Sequence, residues 1–371
     1  MPNHRLLTAG IVGFAAALAC LGCSAATRAG ELYFPDSNAS WQHVEPAEVG
    51  YDAEGLGRVV DYARAQKSSA LVVLHAGRIL LEAHWPPGES VGDISPRYRR
   101  MVVGTTSDGH VVEDVASVQK SIVSFLTGVA VGRGKLDIHK PVTEYLGAGW
   151  SRAEAEAERA ITVKHLLSMT SGLDDALRYQ AQAGTKWRYN TGAYSKVAAV
   201  LEAVLQEPLD VITKQYLTEP IGMRDTRLRP RRWAANIDAA AKIGLATTAR
   251  DLARFGLLIQ AGGNWNGQDL LGAPEYLDVA LAPSQDLNRS YGLLWWLNVD
   301  AGRPRKASAN RMIGRSVTAA PTDMVAAQGA LGRKVFVAPS LNLVVVRLGD
   351  APEADFNQQL WTRLRAASKA D

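Results

Sequence analysis

The most informative stretch of the chain is Ser117-Val118-Gln119-Lys120, which the apolar run Ser121–Leu126 follows directly. This run predicts a buried helix that begins at Ser117. Because residues three apart lie on one face of a helix, the Lys120 amine can reach the Ser117 hydroxyl. Burial would lower the pKa of that amine and let it act as a base toward the serine, while the helix N-terminus points N–H groups at an oxyanion. The simpler alternative is a serine N-cap followed by a solvated lysine, and the spacing alone does not exclude it.

Two later segments are suited to the same chemistry. Tyr189 lies in the loop Trp187–Gly192, where a phenol could relay a proton to a leaving group if a nearby ammonium lowers its pKa. The alternative is a half-buried aromatic residue whose hydroxyl satisfies a turn. Ala327-Gln328-Gly329-Ala330 precedes the last two predicted strands. There, Gly329 would let a substrate carbonyl approach the backbone, and the Ala330 N–H would complete an oxyanion hole, although a glycine beside a strand is more often a bulge or turn.

Around these segments, the chain alternates between strand and helix patterns. Residues 86–112 contain proline and glycine at several points, which predicts a long irregular connection. The predicted elements are the strands Ser69–His75, Arg78–Trp85, Tyr291–Val299, Lys334–Ala338 and Leu343–Leu348 and the helices Asp52–Lys67, Ser117–Val131, Thr162–Met169, Ala193–Leu205, Thr248–Ala261 and Glu353–Ala367. We therefore expect an α+β fold, with an antiparallel sheet built from both termini, flanking helices and an inserted all-helical lobe.

In this order, the three motifs make the chain resemble the serine β-lactamase and penicillin-binding-protein superfamily. The similarity is strongest to its class C-like branch of esterases, D-amino-acid amidases and 6-aminohexanoate-dimer hydrolases. It implies a β-lactamase/transpeptidase-like domain over 46–371, with an α/β lobe of 46–115 and 240–371 and a helical lobe of 116–239. The stretches that carry the resemblance are Ala116–Ser121, Gly134–Asp137, Ile161–Leu173, Tyr189–Gly192, Tyr291–Trp296 and Pro339–Val346.

The resemblance also implies a role for each matching residue. Ser117 would be the acylated nucleophile, Lys120 its general base and Tyr189 a second acid/base group. No cofactor and no metal are implied. The remaining implied residues are the two N–H donors of the oxyanion hole, Ser117 and Ala330, and the substrate contacts, Thr191, Gln328 and Gly329.

Two departures from the superfamily pattern narrow the expected activity. Thr191 stands where the family often has the asparagine of Tyr-x-Asn, which alters one hydrogen-bond partner of the substrate amide or of the lysine. Ala327 stands where many β-lactamases have lysine or histidine, so a β-lactam carboxylate loses a charge partner. We therefore expect an enzyme that hydrolyses an ester, amide or peptide substrate. One alternative is a β-lactamase or D,D-peptidase, and the other is a catalytically silent envelope binding protein.

The N-terminus has the features of an export signal. Arg5 precedes the apolar run Leu6–Ala19, and no further charge occurs before Arg28. This order is typical of a signal peptide over residues 1–22, and Leu21-Gly22-Cys23 resembles a lipoprotein cleavage box. We expect an exported, periplasmic or extracytoplasmic protein, with a lipid on Cys23 that anchors it to the membrane and a tether over residues 23–45. Cys20 and an ordinary cleavage site remain alternatives.

Composition excludes several other classes of protein. The formal net charge of +4 over 371 residues is too small to indicate a nucleic-acid partner. Two cysteines cannot form a disulfide scaffold or a four-thiolate zinc site. The seven histidines show no His-x-His or His-x-x-x-His spacing, so we expect no metal site.

Two further motifs are better interpreted as surface features. Gly88-Glu89-Ser90-Val91-Gly92 matches the nucleophile-elbow pattern, but prolines on both sides disfavour the strand and helix that the elbow needs. We expect a surface turn there. Five arginines between Arg224 and Arg232, followed by Trp233, are interpreted as a solvated face in preference to a contact with anionic envelope polymers.

Overall fold

A computed structural model of the chain describes residues 32–36, 40–86, 93–234, 242–299 and 317–369. The predicted leader, Cys20, Cys23 and the Gly88–Gly92 motif lie outside these residues. Within them, no helix is both long and apolar enough to cross a membrane.

The described residues form twelve strands in three antiparallel sheets. Their bounds are β1 Ser68–His75, β2 Arg78–His84, β3 Val102–Thr105, β4 Val111–Asp114, β5 Arg227–Pro230, β6 Ile243–Thr247, β7 Asn264–Trp265, β8 Gln268–Asp269, β9 Trp296–Leu297, β10 Val325–Gly329, β11 Arg333–Ala338 and β12 Leu343–Gly349.

Twelve α-helices accompany the strands, and a π-helical turn, Lys214–Thr218, joins the eighth to the ninth. Their bounds are α1 Ala53–Ala65, α2 Pro96–Arg99, α3 Val118–Gly132, α4 Thr143–Leu146, α5 Ala155–Arg159, α6 Val163–Leu167, α7 Thr191–Leu205, α8 Leu209–Thr213, α9 Glu219–Ile221, α10 Ala249–Gln260, α11 Pro274–Ala280 and α12 Phe356–Ala367.

The main sheet has the strand order β2-β1-β12-β11-β10-β9, so strands from the two ends of the domain pair at its centre. Val346 of β12 lies opposite Val72 of β1 on one side and Val335 of β11 on the other. Successive residues of a strand point to opposite faces. Accordingly, Val335 faces α10, while Phe336 packs edge-on against Trp361 of α12. Both faces of the sheet are therefore covered, which explains its nearly continuous apolar strands and confirms the α+β fold.

Helix α3 lies at the centre of the molecule, in contact with β10 on one side and with α7 on the other. Thirteen of its fifteen residues are buried. A helix that is apolar all round can satisfy this position, because every face of it meets protein. The apolar run after Ser117 is therefore explained by the burial of α3 on all sides.

The four-stranded sheet, with the order β3-β4-β6-β5, corrects two sequence predictions. The connection predicted to be irregular over 86–112 contains α2, β3 and the start of β4. The predicted helical lobe of 116–239 contains β5, which pairs with β6 and so belongs to the sheet. Short strands with few alternating residues give too weak a period to be recognised. The predicted strand Tyr291–Val299 is likewise reduced to β9.

The described part of the predicted tether packs against the domain. Trp41 is buried and donates its indole N–H to the Gly77 carbonyl, and the Val44 N–H bonds to the Ile79 carbonyl. Arg254 of α10 donates to the Pro35 carbonyl. Residues 32–36 and 40–45 therefore pack on the folded domain, which corrects the predicted tether over 23–45 for these two segments.

Candidate active site

Ser117 lies in the turn between β4 and α3, and the backbone of that turn is strained. Ala116 has a φ of 52°, in the left-handed region that residues with a side chain rarely adopt. The Asp114 carboxylate accepts the Ala116 N–H at 2.9 Å and stabilises this conformation. Ser117 occupies the N-cap position of α3, but its side chain makes no capping hydrogen bond. Its hydroxyl is therefore available to other partners.

Lys120 is held beside that hydroxyl. Its Nζ lies 3.3 Å from Ser117 Oγ and 3.2 Å from Thr191 Oγ1, and the residue is only 4% exposed. Burial, and secondly the charge of Arg231, lower the pKa of Lys120 to about 7. The structure therefore excludes the alternative of a serine cap with a solvated lysine. A neutral amine within reach of a serine hydroxyl can accept its proton.

Tyr189 lies beside the same two groups, with its ring centroid 5.0 Å from Lys120 Nζ. Its ring stacks on Trp296, with centroids 6.0 Å apart, and meets Tyr291 edge-on. The Tyr291–Trp296 stretch thus positions the phenol. Burial raises the pKa of Tyr189 to about 12 and outweighs the opposing effect of the Ser117 side chain, so the shift is opposite to the lowering considered from the sequence. The phenol is therefore a protonated donor.

The Ile161–Leu173 stretch supports the loop that carries Tyr189. The backbone N–H of Arg188 bonds to the Met169 carbonyl, and the side-chain amide of Asn190 bonds to the Leu173 carbonyl. Asn190 also accepts the Ala193 N–H and so caps α7. These bonds hold Tyr189 and Thr191 on either side of a capped helix start, both facing Lys120.

The end of β10 closes the other side of the site. Ala330 lines the cleft together with Ser117. A Cβ at Gly329 would collide with the Val115 carbonyl, so this glycine lets β10 approach the turn before Ser117 rather than leaving space for substrate. Gln328 accepts a hydrogen bond from Lys334 at 2.5 Å. Of the predicted substrate contacts, only Thr191 lines the cleft; Gln328 and Gly329, both described, do not.

These elements enclose a cleft of about 270 Å³ that Ser117 and Lys120 both line. The described residues that line it are Arg97, Arg100, Met101, Ala116, Ser117, Gln119, Lys120, Thr191, Tyr194, Arg231, Trp233 and Ala330.

Sequence reasoning missed an ion pair beneath the site. Arg231 was predicted on a solvated face but is buried, and its guanidinium makes two 2.7 Å hydrogen bonds to the Asp114 carboxylate. A Cβ at Gly244 would collide with both groups, so that glycine makes room for the pair. Asp114 thus links the Ser117 turn to a cation that lowers the pKa of Lys120. A glycine three residues before the end of a strand was the only signal in the sequence.

One cluster of possible metal ligands was also missed. Glu82 and His84 lie on β2 and His110 directly precedes β4, and their ligand atoms lie within 4.8 Å of one another. The two imidazole rings are stacked 3.9 Å apart and only 12° from parallel, so their lone pairs do not converge on one point. Both Glu82 oxygens already bond to Arg250. This geometry does not suit a metal centre.

Comparison with known proteins agrees with the fold. The sequence profile of the Beta-lactamase family matches residues 56–369. Esterase EstB from Burkholderia gladioli is 30% identical over a stretch that covers 30% of this chain and 37% of the esterase. The chain therefore matches well under two thirds of that relative's length.

Two solved structures share the fold over most of the chain. One, from Bacteroides dorei DSM 17855 and provisionally assigned as a β-lactamase, has a TM-score of 0.63 at 16% identity and covers 85% of this chain and 99% of its own. Another, from Bacillus anthracis and provisionally assigned as a 6-aminohexanoate-dimer hydrolase, has a TM-score of 0.61 at 16% identity. The match covers 90% of this chain and 89% of the other. At this identity the likeness shows the fold alone.

The α+β fold and the family match define a domain of the β-lactamase fold. The chain belongs to the β-lactamase family, within the superfamily of serine β-lactamases and penicillin-binding proteins.

Proposed function

We propose that this protein hydrolyses an ester or amide through an acyl-enzyme on Ser117. The observation that carries the proposal is the 3.3 Å separation between Ser117 Oγ and the Nζ of the buried Lys120. An amine with a pKa of about 7 is neutral in a large fraction of molecules at neutral pH and can take a proton from serine. A binding protein has no need of such a pair, so the geometry favours catalysis over a silent pocket.

The proposed reaction has two half-reactions that share one base. Lys120 Nζ takes the Ser117 proton as Oγ bonds to the substrate carbonyl carbon, and the N–H groups of Ser117 and Ala330 would stabilise the oxyanion. The proton then passes from Lys120 to the leaving alcohol or amine as its bond to the carbonyl carbon breaks, and the Tyr189 phenol would assist this transfer. In deacylation, water gives one proton to neutral Lys120 while its oxygen attacks the acyl carbon. Lys120 returns that proton to Ser117 Oγ as the acyl–Oγ bond breaks, which releases the acid and restores Ser117.

The test is acyl transfer to Ser117. We expect a p-nitrophenyl ester to give an acyl adduct on the Ser117 peptide by mass spectrometry and steady-state release of nitrophenol. Ser117→Ala should lower kcat/KM by about 10⁴-fold or more. The matched control is Ser121→Ala, which removes a hydroxyl one turn further along α3 that bonds to the Leu294 carbonyl. Hydrolysis that survives Ser117→Ala and is lost in Ser121→Ala would contradict the proposal.

The same experiment distinguishes the other activities of this superfamily. A chromogenic cephalosporin and a D-alanyl-D-alanine peptide are assayed beside the ester. Because Ala327 offers no cation on β10, we expect kcat/KM for the ester to exceed that for the cephalosporin. A higher value for the cephalosporin would make β-lactam hydrolysis the better assignment.

The proposal includes export, for which Arg5, the apolar run Leu6–Ala19 and Cys23 are the support. In a bacterial host, we expect the full chain to incorporate labelled palmitate and to fractionate with membranes. Cys23→Ser should abolish both, whereas Cys20→Ser should retain them. The reverse result would move the lipid to Cys20.

A further inference from the structure

The mouth of the cleft carries positive charge that the catalytic proposal does not use. Arg97 and Arg100 belong to the turn of α2, and because they are three residues apart they share one side of it. Both are exposed, and neither forms an ion pair with a residue that the structure describes. Among the described residues, no aspartate or glutamate lines the cleft.

Helix α2 is attached to the core by hydrogen bonds, so the backbone that carries these two arginines has a defined position. Ser95 caps the helix and donates its hydroxyl to the Asp350 carboxylate at 2.8 Å. Tyr98, which lies between the two arginines in sequence, is buried and donates to Glu113 in the core. Binding an anion at Arg97 and Arg100 therefore costs side-chain order but no backbone rearrangement.

The other cations of the cleft are already compensated. Arg231 is paired with Asp114, and Lys120 is buried between the rings of Tyr189 and Tyr194. The charge offered to a ligand at the mouth is therefore that of Arg97 and Arg100. Trp233, which is 49% exposed on the same rim, adds a flat apolar surface beside them.

We propose that Arg97 and Arg100 bind an oxyanion, carboxylate or phosphate, carried by the substrate, and that Trp233 packs against the apolar part between that anion and the scissile bond. This inference rests on the proposed function, because it names the class of ester or amide that Ser117 attacks. Exposed guanidinium groups attract such a group electrostatically and hold it by charge-assisted hydrogen bonds.

Matched esters test this. The acetate ester of 4-hydroxybenzoate is compared with that of 4-hydroxybenzamide, which has the same shape without the charge, and the acetate ester of 4-hydroxyphenyl phosphate distinguishes phosphate from carboxylate. On the acyl side, p-nitrophenyl glutarate is compared with p-nitrophenyl glutaramate. We expect kcat/KM to be about tenfold higher for the anionic member of at least one pair, and this ratio to fall in 1 M salt, where the Debye length is about 3 Å.

The variant is Arg97→Gln/Arg100→Gln, which should bring the anionic-to-neutral ratio close to one. Arg99→Gln is the matched control: it removes the same charge from the same helix, but Arg99 does not line the cleft, so the ratio should persist. Arg97→Lys/Arg100→Lys should retain part of it, because the charge remains. Equal kcat/KM values for both members of every pair in the wild-type protein would overturn the inference, as would an equal loss in the Arg99→Gln control.

The two proposals fail differently. If the neutral esters acylate Ser117 but no anionic ester is preferred, the proposed function stands and the substrate class is wrong. If none of the esters acylates Ser117, both the proposed function and the proposed substrate class are wrong.

Discussion

Two buried lysines, on opposite faces of the main sheet, show that a lowered pKa is not enough for a lysine to act as a general base. Burial, and secondly an arginine nearby, lower the pKa of both Lys120 and Lys334 to about 7; the arginine is Arg231 for Lys120 and Arg347 for Lys334. Lys120 lies on the face that α3 covers. Lys334 lies on the face that α12 covers, because it alternates in phase with Phe336. Their titration is alike, so it cannot be what distinguishes them.

Their surroundings do distinguish them. Lys120 faces a serine hydroxyl and lines an open cleft, whereas Lys334 donates to the Gln328 amide oxygen between strands β10 and β11. A lowered lysine pKa is a general consequence of burial, and it becomes catalytic only where a nucleophile and a substrate can reach the amine. The difference between the two lysines should therefore appear in catalysis and not in their titration.

The largest expected effect separates the two amines directly. Lys120→Met should lower the rate constant of acylation by about 10³-fold or more, because Ser117 loses its proton acceptor. Lys334→Met removes an equally buried amine and should leave kcat/KM within about threefold of the wild type. Rapid-mixing measurement of the nitrophenol burst gives both values. Equal losses in the two variants would show that the lysines act through stability rather than chemistry.

The pH dependence of activity should report Lys120. Because the neutral amine is the base, kcat/KM should rise with pH about tenfold per unit, reach half its maximum near pH 7 and then level off. Tyr189, whose pKa burial raises to about 12, should cause no fall below about pH 11. The check is a profile from pH 5 to 10.5, in which Lys334→Met keeps the same midpoint. A midpoint above pH 9 would exclude a neutral Lys120 as the base at physiological pH.

A smaller effect should follow from the ion pair behind the site. Arg231→Gln removes a charge that lowers the pKa of Lys120, so the midpoint of the pH profile should move upward by about half a unit to one unit. Since leaving Asp114 unpaired costs about 3–5 kcal/mol of stability, Arg231→Lys is the companion variant that keeps the charge and should restore the midpoint. Arg229→Gln, from β5 outside the cleft, is the control. An unchanged midpoint in a folded Arg231→Gln protein would contradict the electrostatic link.

The smallest effect concerns stability rather than activity. Between pH 7 and 10.5 each buried lysine is largely neutral in the folded state and protonated in the unfolded state, so unfolding takes up protons and stability should rise with pH. The slope should be at most about 1.4 kcal/mol per pH unit for each lysine. Urea titrations at several pH values should show a smaller slope for Lys334→Met than for the wild type. An identical slope would mean that Lys334 is charged when folded.

Much of the fold follows from local patterns. The strongly apolar strands β1, β11 and β12 and the long helices α1, α3, α7, α10 and α12 have periods that a single sequence displays. Short elements do not: α2, β3 and β5 contain four residues each, too few for a period. The prediction of a tether was wrong for a different reason: the small polar residues around Trp41 do not indicate that its indole is buried against Gly77.

The site divides in the same way. The Ser-x-x-Lys spacing needs only helix geometry to bring its two groups together, and the resemblance supplied Tyr189 and Thr191. Asp114 and Arg231 are 117 residues apart, and no local signal pairs them. Gly329 and Gln328 were predicted to contact substrate. In the structure, Gly329 instead packs against the Val115 carbonyl, and Gln328 accepts a hydrogen bond from Lys334.

The class of fold and the proposed nucleophile–base pair were predictable from the sequence alone, because the periodicity of each helix and strand and the Ser-x-x-Lys spacing are local patterns. The three-dimensional structure was needed to show which buried lysine lies against a serine, which arginine is paired and which arginines line the mouth of the cleft. Those properties depend on burial and on charges brought together from distant parts of the chain. Two lysines with the same pKa of about 7, one against a serine and one against an amide, are the clearest case.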